Sequence, residues 1–143
     1  MKVTVTSKAG HAFAQEISVG SSHTVVSDVS AAVGGNDTGL SPHEIFLGGL
    51  GACTAMTLQM VARKHNLDLQ KITVTVSETL VDDPAAADPK KAAKIPQITE
   101  AIEVEGNLDA AALQTLHSTA AKCPVYKLLV GPKQVVSTVT LKP

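Results

Sequence analysis

The sequence is nearly devoid of aromatic side chains, with two phenylalanines, one tyrosine and no tryptophan in 143 residues. Stacking platforms for bases or sugar rings are scarce on supply alone, and the core has to be assembled from Val, Leu, Ile, Ala and Met. Arginine is scarcer still. Of the twelve Lys and Arg residues only Arg63 is an arginine, and the formal net charge is -1. There is no basic stripe for a phosphate backbone and no cationic run for a membrane surface, so neither nucleic acid nor a membrane is expected as a partner. Cysteine occurs twice, at Cys53 and Cys123, without CxxC spacing, and the five histidines form no HxxxH or HExxH pair. These spacings offer no common zinc arrangement, and no metal is expected.

What the chain does have is 44% hydrophobic content against 17% charge, the balance of a globular protein. A length of 143 residues suits a single domain spanning 1–143. The start, MKVTVTSKAG, alternates like a strand and lacks an apolar stretch leading to a small-residue cleavage site, so the expected location is the cytoplasm. Ile45 to Ala62 carries no charged residue. At eighteen positions it touches the lower limit of a membrane span, but its glycines, threonines and Gln59 dilute it, and it reads as a core helix.

Alternation at Lys2–Thr6, Ala12–Val19 and His23–Val26 predicts three short antiparallel strands. The turn-rich stretch Val33–Gly39 connects them to a helix from Ser41 to about Lys64. Leu69–Leu80 predicts a long strand. The segment 82–97 is rich in Pro, Ala and Lys, poor in bulky side chains, and reads as an exposed insertion. Strand alternation resumes over Ile98–Val104, a helix is expected over Leu108–Ala121 behind an Asn107 or Asp109 cap, another starts at Pro124, and Gln134–Leu141 reads as a final strand. The order β-β-β-α-β-β-α-α-β is that of an α+β fold with antiparallel sheets and a hydrophobic central helix.

That helix opens with a capping box. Ser41 is the N-cap, Pro42 takes the first helical position where its missing N–H costs nothing, and Glu44 reaches back to the Ser41 N–H. Beyond it, apolar or small residues fall on every side, which predicts a helix buried all round. Gly48, Gly49 and Gly51 each cost about 1 kcal/mol relative to alanine in a helix interior. Close approach of another backbone would offset that cost and would place Cys53 in a crowded helix contact. Free cysteine is a common small core residue, and packing alone accounts for a buried Cys53. Cys123 precedes Pro124 and so stands where a helix begins, a position whose N–H groups favour a thiolate. The residues leave two readings open, unrelated buried thiols or a redox pair.

Three stretches together, Val33 to Glu44 (VGGNDTGLSPHE), Gly51 to Met56 (GACTAM) and Lys122 to Val125 (KCPV), resemble the OsmC/Ohr family of osmotically inducible and organic hydroperoxide resistance proteins, with the pattern of the OsmC-like branch. The resemblance extends over nearly the whole chain. It implies an intertwined α+β homodimer, with the cysteine-bearing helix buried at its centre. It also implies a thiol peroxidase needing neither metal nor flavin. Cys53 would attack a small hydrophobic hydroperoxide and become a sulfenic acid, Cys123 would resolve it as a disulfide, and an external dithiol such as a lipoyl group would reduce that.

The chain departs from the family's peroxidases in two places. Those enzymes hold the thiolate with an arginine from an early loop, and the single arginine here, Arg63, lies beyond the cysteine. Their glutamate stands ten residues before the cysteine, the position of His43. Glu44, nine before it, is the candidate third site residue alongside its capping role. The alternative to a peroxidase is a non-catalytic OsmC-like protein that binds a small hydrophobic ligand in the dimer cleft and keeps its cysteines as packing groups.

Overall fold

Strands form where apolar and polar residues alternate, and the computed structural model, which describes residues 2–86 and 93–141, carries the alternation into two separate sheets. Residues 1–49 and 50–143 make two compact units.

In the first unit β1 (Thr4–Ser7), β2 (Gln15–Val19) and β3 (His23–Ser27) form an antiparallel meander, with Thr4 opposite Ser18 and Val19 opposite His23. Ala14 is the one buried apolar side chain of this unit among the described residues, while Val5, Val19 and Val25 lie about half exposed. The unit is organised around a carboxylate. Asp28, 2% exposed, accepts hydrogen bonds from the Val29 amide at 2.8 Å, the Asn36 and Thr38 amides at 3.2 Å each and the Thr38 hydroxyl at 2.8 Å. The connection expected to be flexible is thus wound on one side chain, with a short 3-10 turn over Ala31–Val33. At its end Gly39 crosses β3 so closely that a Cβ there would stand 2.2 Å from the Val26 carbonyl oxygen, and only glycine fits.

Helix α1 (Pro42–Lys64) starts as its capping box dictates. Glu44 Oε2 accepts from the Ser41 N–H at 2.7 Å, and Ser41 Oγ accepts from the Glu44 N–H at 3.3 Å. Its buried residues are Leu50, Gly51, Thr54, Leu58 and Ala62, a stripe at helical spacing. The expectation of burial on every side is corrected for this chain by itself. Phe46, Met56 and Met60 are 42%, 52% and 65% exposed, because the elements packed against α1 here cover one face. Among the described residues α1 alone has the length and composition of a membrane-crossing helix, and one stripe of it is buried in this chain.

The second unit sets that stripe on a hairpin of β4 (Asp68–Asp82) and β5 (Lys94–Asn107), paired antiparallel along their length. Ile72, Val74 and Val76 on β4 and Ile98, Glu100, Ile102 and Val104 on β5 are partly buried, and the residues alternating with them are exposed. Gly51 is the point of closest approach, where a Cβ would lie 3.0 Å from Val76 Cγ2. Helix α2 (Ala110–Ala120), whose N-cap Asp109 accepts from the Ala112 N–H at 2.7 Å, adds Leu116 to a core of Leu58 and Ala62 ringed by Leu67, Leu69, Ile72, Ile102, Val104 and Leu108. Helix α3 (Pro124–Val130) follows with Cys123 as its N-cap.

Two further sequence expectations need adjustment. β5 begins at Lys94, so residues 94–97 of the proposed insertion belong to the hairpin, and 87–92 lie outside the described residues. The strand expected over 134–141 is not formed. Neither sheet of this chain pairs with that segment, and Val135, Val139 and Leu141 are 86%, 100% and 93% exposed. Alternation marks strand potential, but a strand requires a neighbour.

Leu58→Ala removes the centre of the second unit's core and should lower stability by about 2–5 kcal/mol in urea unfolding. The hydrogen bond from the Thr38 hydroxyl, supported by those from the three amides and opposed by desolvation, holds the Asp28 carboxyl below its ordinary pKa. A depressed carboxyl contributes stability that is complete above the unfolded pKa and lost as pH falls through the folded one. Asp28→Asn should therefore lower the melting temperature at neutral pH, with the gap to wild type closing below about pH 4. A gap that persists unchanged in acid would show that the charge plays no part.

Candidate active site

Cys53 is placed by the middle of α1 and Cys123 by the turn between α2 and α3, and the two thiols lie near enough for each to perturb the other's ionisation. Both are free thiols. Cys123 is completely buried, whereas Cys53 is partly exposed. One thiol is accessible and the other sealed.

Their surroundings push them in opposite directions. Burial pushes the Cys53 thiol up, and its hydrogen bond to the Cys123 sulfur adds to this, against smaller opposing contributions from the Val125 amide and the Thr57 hydroxyl. Burial also pushes Cys123 up, but the polar groups nearby, the Cys53 thiol first and then the Tyr126 amide, the Thr54 hydroxyl and the Val125 amide, lower it by more. Cys123 ends below the ordinary thiol value. Cys123 is the N-cap residue of α3, although its side chain makes no cap hydrogen bond, while Cys53 sits mid-helix where the amides are already bonded.

A cavity of about 700 Å³ lies in the second unit, its wall including Leu50 one turn before Cys53, Ile98 and Ile102 of β5, and Tyr126 and Leu129 of α3. Most of its lining is aliphatic. The polar exceptions are His117 and Glu100. Glu100 is an acid at an inward position of β5, between Ile98 and Ile102, and its Oε1 is sealed from water with no hydrogen-bond partner. Sequence reading passed over Glu100, although a charged residue interrupting one face of an alternating strand is a legible signal. Thr54 and His117 carried no such signal, since each looks like an ordinary helix residue.

Glu44, the third candidate, is held in the cap of α1 by its two bonds with Ser41, and the Ser41 amide first, then the Ser41 hydroxyl, keep its carboxyl below the usual range. Arg63 lies in the last turn of α1, roughly 15 Å along the helix axis from Cys53. No group of three or more His, Cys, Asp or Glu among the described residues could hold a metal ion.

The chain is 15% identical to the OsmC like protein from Mycoplasma pneumoniae, with 91% of this chain and 86% of that one covered and a TM-score of 0.69. For the organic hydroperoxide resistance protein OsmC from Legionella pneumophila the identity is 17%, the coverage 92% and 90%, and the TM-score 0.62. For the organic hydroperoxide resistance protein OhrB of Bacillus subtilis the identity is 23%, the coverage 92% of both chains, and the TM-score 0.58. These likenesses establish a shared α+β fold. No curated protein matches the sequence. The family model for OsmC-like proteins matches residues 34–138, from the loop wound on Asp28 past both cysteines, and the chain belongs to that family.

Proposed function

We propose that the protein is a cysteine-based peroxidase that reduces organic hydroperoxides in oxidative stress defence, with Cys53 as the sulfur oxidised first and Cys123 as the resolving sulfur. The observation that carries this reading is an accessible thiol and a buried one near enough to perturb each other's ionisation, with a largely aliphatic cavity lined by Leu50 and Tyr126, each three residues from one of them. Cys53 is the partly exposed member and can meet a substrate, while Cys123, completely buried, can meet only Cys53. An aliphatic wall favours alkyl or aryl hydroperoxides over hydrogen peroxide, because burying the organic tail adds binding free energy that the small polar oxidant lacks. An external dithiol, of which a lipoyl group is one form, would return the disulfide to two thiols. Glu44 serves in this reading by fixing the start of α1.

The protein acts as a homodimer in this reading. Support comes from the apolar surface that one chain leaves open: Met56 and Met60 on α1, Val5 and Val25 in the meander, and Val139 and Leu141 near the end. Sedimentation equilibrium at micromolar concentration should give twice the chain mass, and a folded monomer would refute the dimer.

Stopped-flow mixing of reduced protein with cumene hydroperoxide tests the activity. Wild type should form an intramolecular Cys53–Cys123 disulfide and one equivalent of alcohol. Cys123→Ser should stop at a sulfenic acid on Cys53, and Cys53→Ser should abolish turnover. Oxidation of Cys123 at the wild-type rate in Cys53→Ser would overturn the assignment. Oxidation of neither sulfur, with retention of an apolar ligand, would favour the binding-protein reading, for which the same cavity is the ground.

A further inference from the structure

β5 carries three acids, and one of them turns inward. Glu103 and Glu105 lie on the exposed face, where Glu105 Oε1 accepts from Lys71 Nζ at 2.7 Å. Glu100 has the opposite parity along the strand. It stands directly opposite Val76 of β4, the residue whose Cγ2 Gly51 of α1 approaches, so its side chain leaves the hairpin on the face that the helix covers. The residue is partly buried, and its Oε1 is sealed from water without a hydrogen-bond partner. A carboxylate oxygen withdrawn from water and given no donor loses its hydration with nothing in return. An acid so placed in an aliphatic wall calls for a partner that the described residues do not supply.

The cavity that Glu100 lines, about 700 Å³, falls within the range of small-molecule sites, roughly 300–1,000 Å³. Among the described residues lining it Glu100 is the one acid, and none is Lys or Arg. His117 and Tyr126 are the other titratable groups on its wall, and neither bonds the sealed oxygen. We propose that the cavity is a binding site for a small aliphatic amine, its ammonium head on the Glu100 carboxylate and its alkyl body along Ile98, Ile102 and Leu129. The inference goes beyond the peroxidase reading, since it concerns what occupies the cavity while both thiols are at rest.

Charge and shape select the same ligand. An ammonium group brings only donors and a positive charge, the complement of a carboxylate, and its hydrogen bonds to one are stronger than those between neutral groups. Rotation about the last side-chain bond of Glu100, which has a broad twofold profile, is enough to present either oxygen to the cavity. The aliphatic wall removes the alkyl chain from water. A carboxylate ligand of the same length meets repulsion from Glu100, and an alcohol offers one donor without the charge.

The test is calorimetric titration of the reduced full-length protein with n-octylamine, 1-octanol and sodium octanoate at about pH 7, where an alkylamine is protonated as a lysine side chain is. Octylamine should bind about tenfold more tightly than octanol, and octanoate more weakly than either. Glu100→Gln keeps the shape and removes the charge, and it should lower the octylamine affinity about tenfold, to that of octanol, while octanol binding stays nearly the same. Glu105→Gln, on the outward face of the same strand, should leave all three unchanged. Intermolecular nuclear Overhauser effects should connect the octyl chain to the Ile98 and Ile102 methyl groups. Octanoate binding as tightly as octylamine, an octylamine affinity unmoved in Glu100→Gln, or no octylamine binding at millimolar concentration overturns the proposal. The comparison of the three ligands on wild type decides even if a variant fails to fold. Because the titration contains no hydroperoxide, failure to bind the amine leaves the peroxidase reading standing, and absence of turnover leaves the amine site standing.

Discussion

The packing of one stripe of α1 on the β4–β5 hairpin determines what the second unit can do. Gly51 lets the helix settle against Val76 and Val74, and a side chain at that position would push it away by a few tenths of an ångström. Cys53 and Thr54 follow two and three residues later, so the angular position of both sulfur and hydroxyl is fixed by the same contact. Leu58 and Ala62 anchor the far end of the stripe in the core with Leu116 of α2. Since α2 leads directly into the turn bearing Cys123, one hydrophobic contact surface positions both halves of the thiol pair.

The surroundings of the pair shift its two thiols in opposite directions. Desolvation is the largest influence on each sulfur and raises both. The difference between them comes from neutral donors, and these are unevenly distributed. Amide dipoles fixed by helical geometry need no reorganisation when charge appears. They are also less exposed to screening by salt than a surface ion pair. A pair poised in this way depends on the backbone of α3 more than on any single charged side chain.

Much of this was legible in the sequence, and the exceptions have a common cause. The capping box at Ser41 to Glu44, the extent of α1, the Asp109 cap and the start of α3 at Pro124 are local signals, set by residues within four positions of one another, and all appear as read. The cysteines were identifiable as candidates, though their proximity is tertiary and no spacing rule encodes it. The burial of α1 on one side only and the unpaired segment 134–141 depend on which neighbours exist, and periodicity reports an element's preference without supplying its partner. Glu100 was visible as a break in strand alternation, whereas the isolation of its sealed oxygen is a tertiary fact.

Gly48 and Gly49 pose the opposite case to Gly51. A methyl group added at either would meet nothing within 4 Å in this chain. Each still burdens the helix with the backbone entropy that alanine would spare it, about 1 kcal/mol apiece. A lone chain gains nothing from that arrangement and would be more helical without it. The two positions therefore act as a clearance gauge: alanine there reports the distance to the nearest foreign surface through its sign, stabilising where the space is empty in solution and destabilising where another backbone occupies it.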